Sequence, residues 1–502
     1  MTAEALSPEQ FGVAFKAFLE AMTRVATPAD GALHERIGAH LGADPAQLPV
    51  FSEEFDPYEH PNVQVAIDAY LETEGRAAEL VGVAAQQRHF VDLGLSVIAS
   101  QRVLPGMPPV MEGPVDYVNF HLAGDRLLPC VQFGLYFMRD GDARFIVTVT
   151  GPSERRGPRT IVKVEAMATD PDVARRFLAE LRETMLRLNV YRGQVISLSP
   201  GSLGMGPQTL VAFHALPHVE RDDVVLPEPL LARVERQTFR FAEHAAELLA
   251  AGRSLKRGLL LHGSPGTGKT LTLMYLIGRM PGRTVLLATG LGVGRLQPVV
   301  QMARTLAPSM VVIEDVDLIA EDRGMHHGRP TPLLFELLNE LDGLRDDCDV
   351  IFALTTNRPE VLETALAARP GRIDLAIELP LPDASHRRRL LELYAQGLDY
   401  RDVDLDSVVA RTEGASPAYI KELLRRAALL AATDGAGAAV TGEHLDAALE
   451  ELNEGGRLAQ RLLGFHRPGE EQEASVPPTG FPAMPPGRAP LARPSEWRGS
   501  VR

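Results

Sequence analysis

The spacing of apolar positions changes along the chain, and each change predicts a different kind of element. From Ala5 to Leu104 the period is mostly helical, with Val63, Ile67, Tyr70 and Leu71 on one face. From Val115 the pattern turns to alternation and β-branched runs. "VDYVNFHL", "RLLPCVQFGLYF", "RFIVTVT" and "RTIVKVEAMA" are parted by turn-forming "RDGD" and "GPSERRGP", which predicts an antiparallel sheet. A helix then starts at an Asp170 N-cap with Pro171 in its first position. Val173, Phe177, Leu181, Met185 and Leu188 form its expected buried stripe. "YRGQVISLS" reads as one more strand, and the Gly and Pro between Pro200 and Pro207 mark a boundary. Residues 1–207 thus read as an α+β N-terminal region, and 208–257 as a linker and entry segment.

From Gly258 short apolar strands, "GLLLHG", "TVLLAT", "MVVIED" and "VIFALTT", alternate with helical segments. That alternation predicts an α/β unit with a parallel sheet covered on both faces over 258–381. After Pro382 the pattern is all-helical to about residue 464. From Pro468 to Arg502 there are 8 Pro and 4 Gly in 35 residues, so 465–502 reads as a disordered tail. Trp497, the chain's one tryptophan, reads there as an incidental side chain.

Composition narrows the function classes. A length of 502 residues suggests two or three domains, and 45% apolar content supports real cores. The charge balance, 51 − 66 = −15, argues against holding nucleic acid by bulk charge. Cys130 and Cys348 are far apart in sequence and fit a reducing compartment. "MTAEALSPEQ" lacks the pattern of a signal peptide, and no stretch approaches the roughly 18 apolar residues of a membrane span. A cytoplasmic protein is the expectation. His326–His327 lack the further ligands of a zinc site and read as a surface loop.

One segment carries chemistry. "GSPGTGKT", residues Gly263, Ser264, Pro265, Gly266, Thr267, Gly268, Lys269 and Thr270, lies between a predicted strand and a predicted helix. That is the context required of G-x-x-x-x-G-K-[ST]. The glycines let backbone N–H groups turn inward around phosphate oxygens, and the helix N-terminus adds positive potential. Lys269, expected to face solvent, would reach the outer phosphates, and Thr270 would ligate Mg²⁺ through its hydroxyl. "VVIEDVDLIA" follows as a second buried strand ending in acids, with Glu314 and Asp315 adjacent and Asp317 two places on. Such a strand end supplies metal binding and polarisation of water. Both acids are carboxylates, so either role is chemically open to each; Asp317 reads as a stabiliser of a loop or interface.

From about Asp222 to Gly464 these motifs, in this order, resemble the AAA ATPases of the AAA+ group. "GSPGTGKT" is similar to the family's Walker A loop, "VVIEDVD" to its Walker B strand and "LLFELLNELDG" to the helix that follows. "TTNRPE" resembles the sensor-1 segment, which makes Asn357 the residue that contacts the γ-phosphate or attacking water. "ALAARPGRID" resembles the second region of homology, and Arg369 and Arg372 take from it a role across the subunit boundary. "GASPAYIKELLRRAALLA" looks like the sensor-2 helix, with Ala418 where many relatives carry arginine. The resemblance implies a P-loop NTPase fold with a helical lid, ATP and Mg²⁺ as ligands, and a homo-hexameric ring. By register with the family's Asp–Glu pair, Glu314 takes the metal side and Asp315 the water side.

The chain also departs from the family. The acid pair is inverted, and the segment "TGLGVGRLQP" after the second strand has no aromatic residue, leaving Leu291 and Val293 as possible substrate contacts. Both features are similar to the mitochondrial AAA translocase that assembles respiratory complex III. Relatives of the FtsH type carry His-Glu-x-x-His after the ATPase module. Here the His34–Glu35 pair is followed by Gly38 and lies far upstream, so the zinc-protease reading is set aside. The expectation is an ATP-driven ring that remodels a protein client bound through the N-terminal region, or alternatively an ATP-gated assembly switch with slow turnover.

Overall fold

The computed structural model describes residues 7, 11–18, 32–84, 94–100, 110–152, 161–198, 211–288, 296–317, 347–360, 373–435, 437, 439–454 and 464–465. Two sheets organise them. The first contains β1 (Val50–Phe55), β2 (Arg76–Val83), β3 (Glu112–Gly113), β4 (Asp116–His121), β5 (Leu127–Asp140), β6 (Ala143–Thr150) and β7 (Val162–Ala168). Its order is β1-β7-β6-β5-β2-β3, with β4 also paired to β5, and every pairing is antiparallel.

The period-2 pattern of these strands supplies two apolar faces. Tyr136, Met138, Phe145, Val147, Val164 and Ala166 pack with the helices His60–Leu71 and Pro171–Arg187. Leu135, Phe137, Ile146 and Met167 pack with the helices Leu33–Leu41 and Leu95–Ala99. The stretch before Leu104 is therefore not wholly helical: β1 and β2 lie inside it. Helix Pro171–Arg187 has its Asp170 cap, with the side chain accepting from the Asp172 backbone N–H. Its buried stripe is Ala174, Phe177, Leu178, Leu181 and Met185, and Leu188, past the helix end, is exposed.

The second sheet adds β8 (Val195–Leu198), β9 (Val211–Phe213), β10 (Arg257–His262), β11 (Thr284–Leu287), β12 (Ser309–Ile313), β13 (Val350–Thr356) and β14 (Leu375–Glu378). Its order is β14-β10-β13-β12-β11-β8-β9, and all pairs are parallel except β8–β9. The sheet extends beyond the expected 258–381 unit. β8, assigned from the sequence to the N-terminal region, hydrogen-bonds to β11, so the sheet begins at Val195 rather than Gly258. An apolar strand shows its tendency to pair but not its partner. The 208–257 segment is not merely a linker, because it holds the helices Glu228–Gln237, Phe239–Glu243 and Ala245–Ala250.

The two sheets join through the turn before β8. Tyr191 is buried in the core of the second sheet, and its hydroxyl donates to the Tyr58 carbonyl at 2.5 Å. Asn62 accepts from the Val190 backbone N–H at 2.8 Å. Beyond β14 the helices Ala384–Tyr394, Leu405–Arg411, Pro417–Thr433 and Gly442–Glu454 share one core. This unit is not all-helical: β15 (Asp399–Arg401) pairs in parallel with β16 (Ala439–Thr441). Phe465, placed by sequence in the tail, stacks on Tyr419 with ring centroids 4.9 Å apart. Residues 466–502, including Trp497, lie outside the described residues, as do 318–346 with His326–His327.

Candidate functional site: a phosphate loop between two strand ends

The carboxyl ends of β10, β12 and β13 open onto a pocket of about 400 Å³. Parallel strands bring these ends to one edge of the sheet, where α/β proteins bind ligands. The loop Gly263–Gly268 leaves β10 and enters the helix Lys269–Gly278. Gly263, Gly266 and Gly268 have φ of 146°, 77° and 95°, backbone that L side chains rarely adopt. A Cβ on Gly263 would also stand 2.5 Å from the Leu379 carbonyl oxygen. The loop thus depends on glycine for both its turn and its close approach to the strand beside it.

Lys269 departs from the expectation that it faces solvent. It is 7% exposed, and its ammonium donates to the carbonyls of Gly263 at 2.8 Å and Ser264 at 3.0 Å. Burial pulls its pKa below the usual lysine value, and the negative charges of Asp315 and Asp317 oppose that shift. The lysine therefore braces the loop from inside, with its charge held at the floor of the cradle.

The two acids after β12 separate in space. Glu314 Oε1 accepts from the Thr270 hydroxyl at 2.6 Å. Asp315 lines the pocket, and its Oδ1 accepts from Asn357 Nδ2 at 3.0 Å. Asp315 reaches this position on a left-handed backbone, φ 47°, with its N–H donating to Thr355 Oγ1 at 3.0 Å. Asp and Asn are the non-glycine residues that adopt this conformation most readily. The short side chain at 315 is thus matched to a backbone turn that a Glu would occupy less readily.

The site's donor set fits Mg²⁺. A threonine hydroxyl and a carboxylate are hard oxygen ligands, already in contact, and Mg²⁺ is held by one or two such groups together with phosphates and water. Among the described residues no group of three or more His, Cys, Asp or Glu stands together as a metal cluster.

The rest of the lining includes residues outside the sequence motifs, Asp223–Leu226 above all. Asp223, Val224, Val225 and Leu226 line the pocket, as do Leu390, Tyr394, Ala418 and Lys421 of the helical unit. Val224 and Leu226 pack into the core of the second sheet, while Val225 packs into the helical unit beyond it. Val224–Leu226 therefore tie the two units together, and their apolar sequence carries no chemical signal. Ala418 N–H donates to the Gly266 carbonyl at 3.2 Å, so the helical unit rests directly on the loop. Arg369 and Arg372 lie outside the described residues, as do Leu291 and Val293.

Comparison with known proteins agrees with this geometry. Residues 259–381 match the family described as ATPase family associated with various cellular activities (AAA), and residues 402–447 match the AAA+ lid domain. The chain is 33% identical over 247 residues to the ATP-dependent zinc metalloprotease FtsH 3 of Synechocystis sp., a match covering 47% of this chain and 38% of that protein. It is 32% identical over 249 residues to FtsH of Mycobacterium tuberculosis, covering 47% and 32%. It is 36% identical over 223 residues to FtsH 3 of Sphaerobacter thermophilus, covering 42% and 45%. The similarity thus spans less than half of each of these relatives. Sheet, loop, acids and covering helices together form an α/β P-loop domain with its lid, matching the AAA and AAA+ lid models over residues 259–381 and 402–447 and similar to the ATPase module of FtsH proteins.

Proposed function

We propose that this chain hydrolyses ATP to drive the remodelling of a protein client. The observation that carries the reading is the division of labour between neighbouring acids. Glu314 stands with the Thr270 hydroxyl, and Asp315 stands with Asn357 inside the pocket. In this reading Thr270 and Glu314 hold Mg²⁺, whose chemistry when bound is neutralisation of phosphate charge. Lys269 and the loop N–H groups hold the phosphates. Asp315, oriented by Asn357, accepts a proton from the attacking water. Phosphoryl transfer needs positioned charge more than covalent help, and this pocket supplies it on three strand ends.

Arg369 and Arg372, through their resemblance to trans-acting arginines, complete the site of a neighbouring subunit in a homo-oligomer, taken as a hexamer. The first sheet, joined to the ATPase sheet through Tyr191 and β8, is the platform for the client. Cytoplasm is the proposed location. No helix among the described residues is long and apolar enough to cross a membrane. Turnover separates remodelling from the slower switch. Sedimentation should show an ATP-dependent oligomer, and phosphate release should rise when a client trapped by Asp315→Asn is added to the parent chain. A monomer with full turnover, or turnover indifferent to every trapped protein, would refute the remodelling ring.

A further inference from the structure

The ladder between β12 and β13 ends at the pair Ile313–Leu354, just short of the catalytic groups. Side chains continue it. Asp315 N–H donates to Thr355 Oγ1 at 3.0 Å. Two residues on, Asp317 is 3% exposed, and its Oδ1 accepts from Thr356 Oγ1 at 2.7 Å and from the Asn357 backbone N–H at 3.4 Å. Thr356 Oγ1 in turn accepts from the Arg358 backbone N–H at 2.9 Å. One carboxylate thereby grips the peptide that carries Asn357, whose side chain reaches Asp315.

We propose that Asp317 is a positioning residue for hydrolysis, holding Asn357 against Asp315 by bridging the two strand ends. The proposal rests on the reading of Asp315 and Asn357 given above. Thr356 is fully buried, so water cannot replace the carboxylate on its hydroxyl. Without Asp317 the donors of Thr356 and Asn357 lose their acceptor, and the end of β13 is free to shift. The Asn357–Asp315 contact is made by short side chains and absorbs little of such a shift.

The test is a double-mutant cycle read as kcat, KM and ATP affinity. Asp317→Ala should lower kcat by about 10²-fold, the loss that a displacement of roughly 1 Å brings. ATP affinity should stay within about threefold, because the hydrogen bonds of Asp317 go to Thr356 and Asn357 and not to the phosphate loop. Asp317→Asn should stay within about fivefold of the parent, since a neutral amide oxygen still accepts from both donors. In an Asn357→Ala background, Asp317→Ala should add less than about threefold, because coupled residues are non-additive. An equal loss of kcat in both backgrounds, or weaker ATP binding with kcat retained, overturns the proposal and leaves the site reading intact. Parental turnover in Asn357→Ala overturns both. If Asp317→Ala does not fold, Thr356→Val removes the shorter of the two bonds in the bridge. It should lower kcat about tenfold in the parent and add nothing to Asn357→Ala, and parental kcat in Thr356→Val overturns the proposal.

Discussion

Replacing Asp315 by Asn tests the assignment of the two acids with little structural disturbance. Asn is isosteric, tolerates the left-handed backbone at φ 47°, and keeps an oxygen that accepts from Asn357 Nδ2. What it loses is the charge and the ability to take a proton. A positioned general base contributes about 10²–10⁴-fold, so turnover should fall by that factor. ATP affinity should hold or rise, because a negative charge facing the phosphate site is removed. Asp315→Glu sharpens the test. It adds a methylene, about 1.5 Å of reach, on a backbone already turned to present Asp, and it places a less tolerant residue in the left-handed region at a cost of about 1 kcal/mol. Turnover should fall about 10–10²-fold through misplacement. The assay is phosphate release at saturating Mg-ATP beside titration of a fluorescent ATP analogue. Parental turnover in Asp315→Asn together with an inactive Glu314→Gln would refute the reasoning and make Glu314 the base.

Other perturbations probe separate parts of the account. Gly464 has φ 73°, and a Cβ there would stand 2.1 Å from the Pro265 carbonyl oxygen. Gly464→Ala should therefore disturb the phosphate loop and weaken ATP binding about tenfold, and unchanged affinity in a nucleotide titration would show that the loop does not feel this contact. His60 is buried with its pKa pushed down to about 4 by desolvation, while its Nε2 donates to the Val131 carbonyl. The unfolded chain takes up this proton first as pH falls through 6.5, so stability should decline by roughly 3 kcal/mol by pH 4. Urea unfolding across that range should show a shallower decline for His60→Gln, and equal slopes would exclude His60 as the source. Arg369→Ala and Lys269→Ala subunits, each inactive alone, should regain some turnover when co-assembled, and no recovery in proven mixed oligomers would refute action in trans.

Much of the ATPase module was legible because its chemistry is local in sequence. β10, β12 and β13 are buried on both faces and read as short apolar runs, and Gly263–Thr270 carries its own spacing. The missing parts depend on distant residues. Nothing within "VISL" shows that β8 pairs with β11 rather than with the first sheet. β1 alternates partly exposed and exposed positions at a sheet edge, a weak signal inside a stretch of helical spacing. The left-handed turn at Asp315 and the grip of Asp317 on Thr356 arise where two strands some 40 positions apart in sequence end side by side. The stretch Val224–Leu226 is apolar, so only its place between two cores marks it.

The central claim is that the pocket above β10, β12 and β13 binds and hydrolyses ATP, with Lys269 as its phosphate cation. The most direct measurement is steady-state phosphate release from Mg-ATP by the purified full chain, with and without Lys269→Ala. Lys269 is braced by the loop carbonyls of Gly263 and Ser264 and sits outside the main apolar clusters, so the variant should remain folded by circular dichroism. The account predicts Mg²⁺-dependent turnover in the parent and a loss of at least about 10²-fold in Lys269→Ala through failed ATP binding. Equal turnover by a folded Lys269→Ala protein would contradict it.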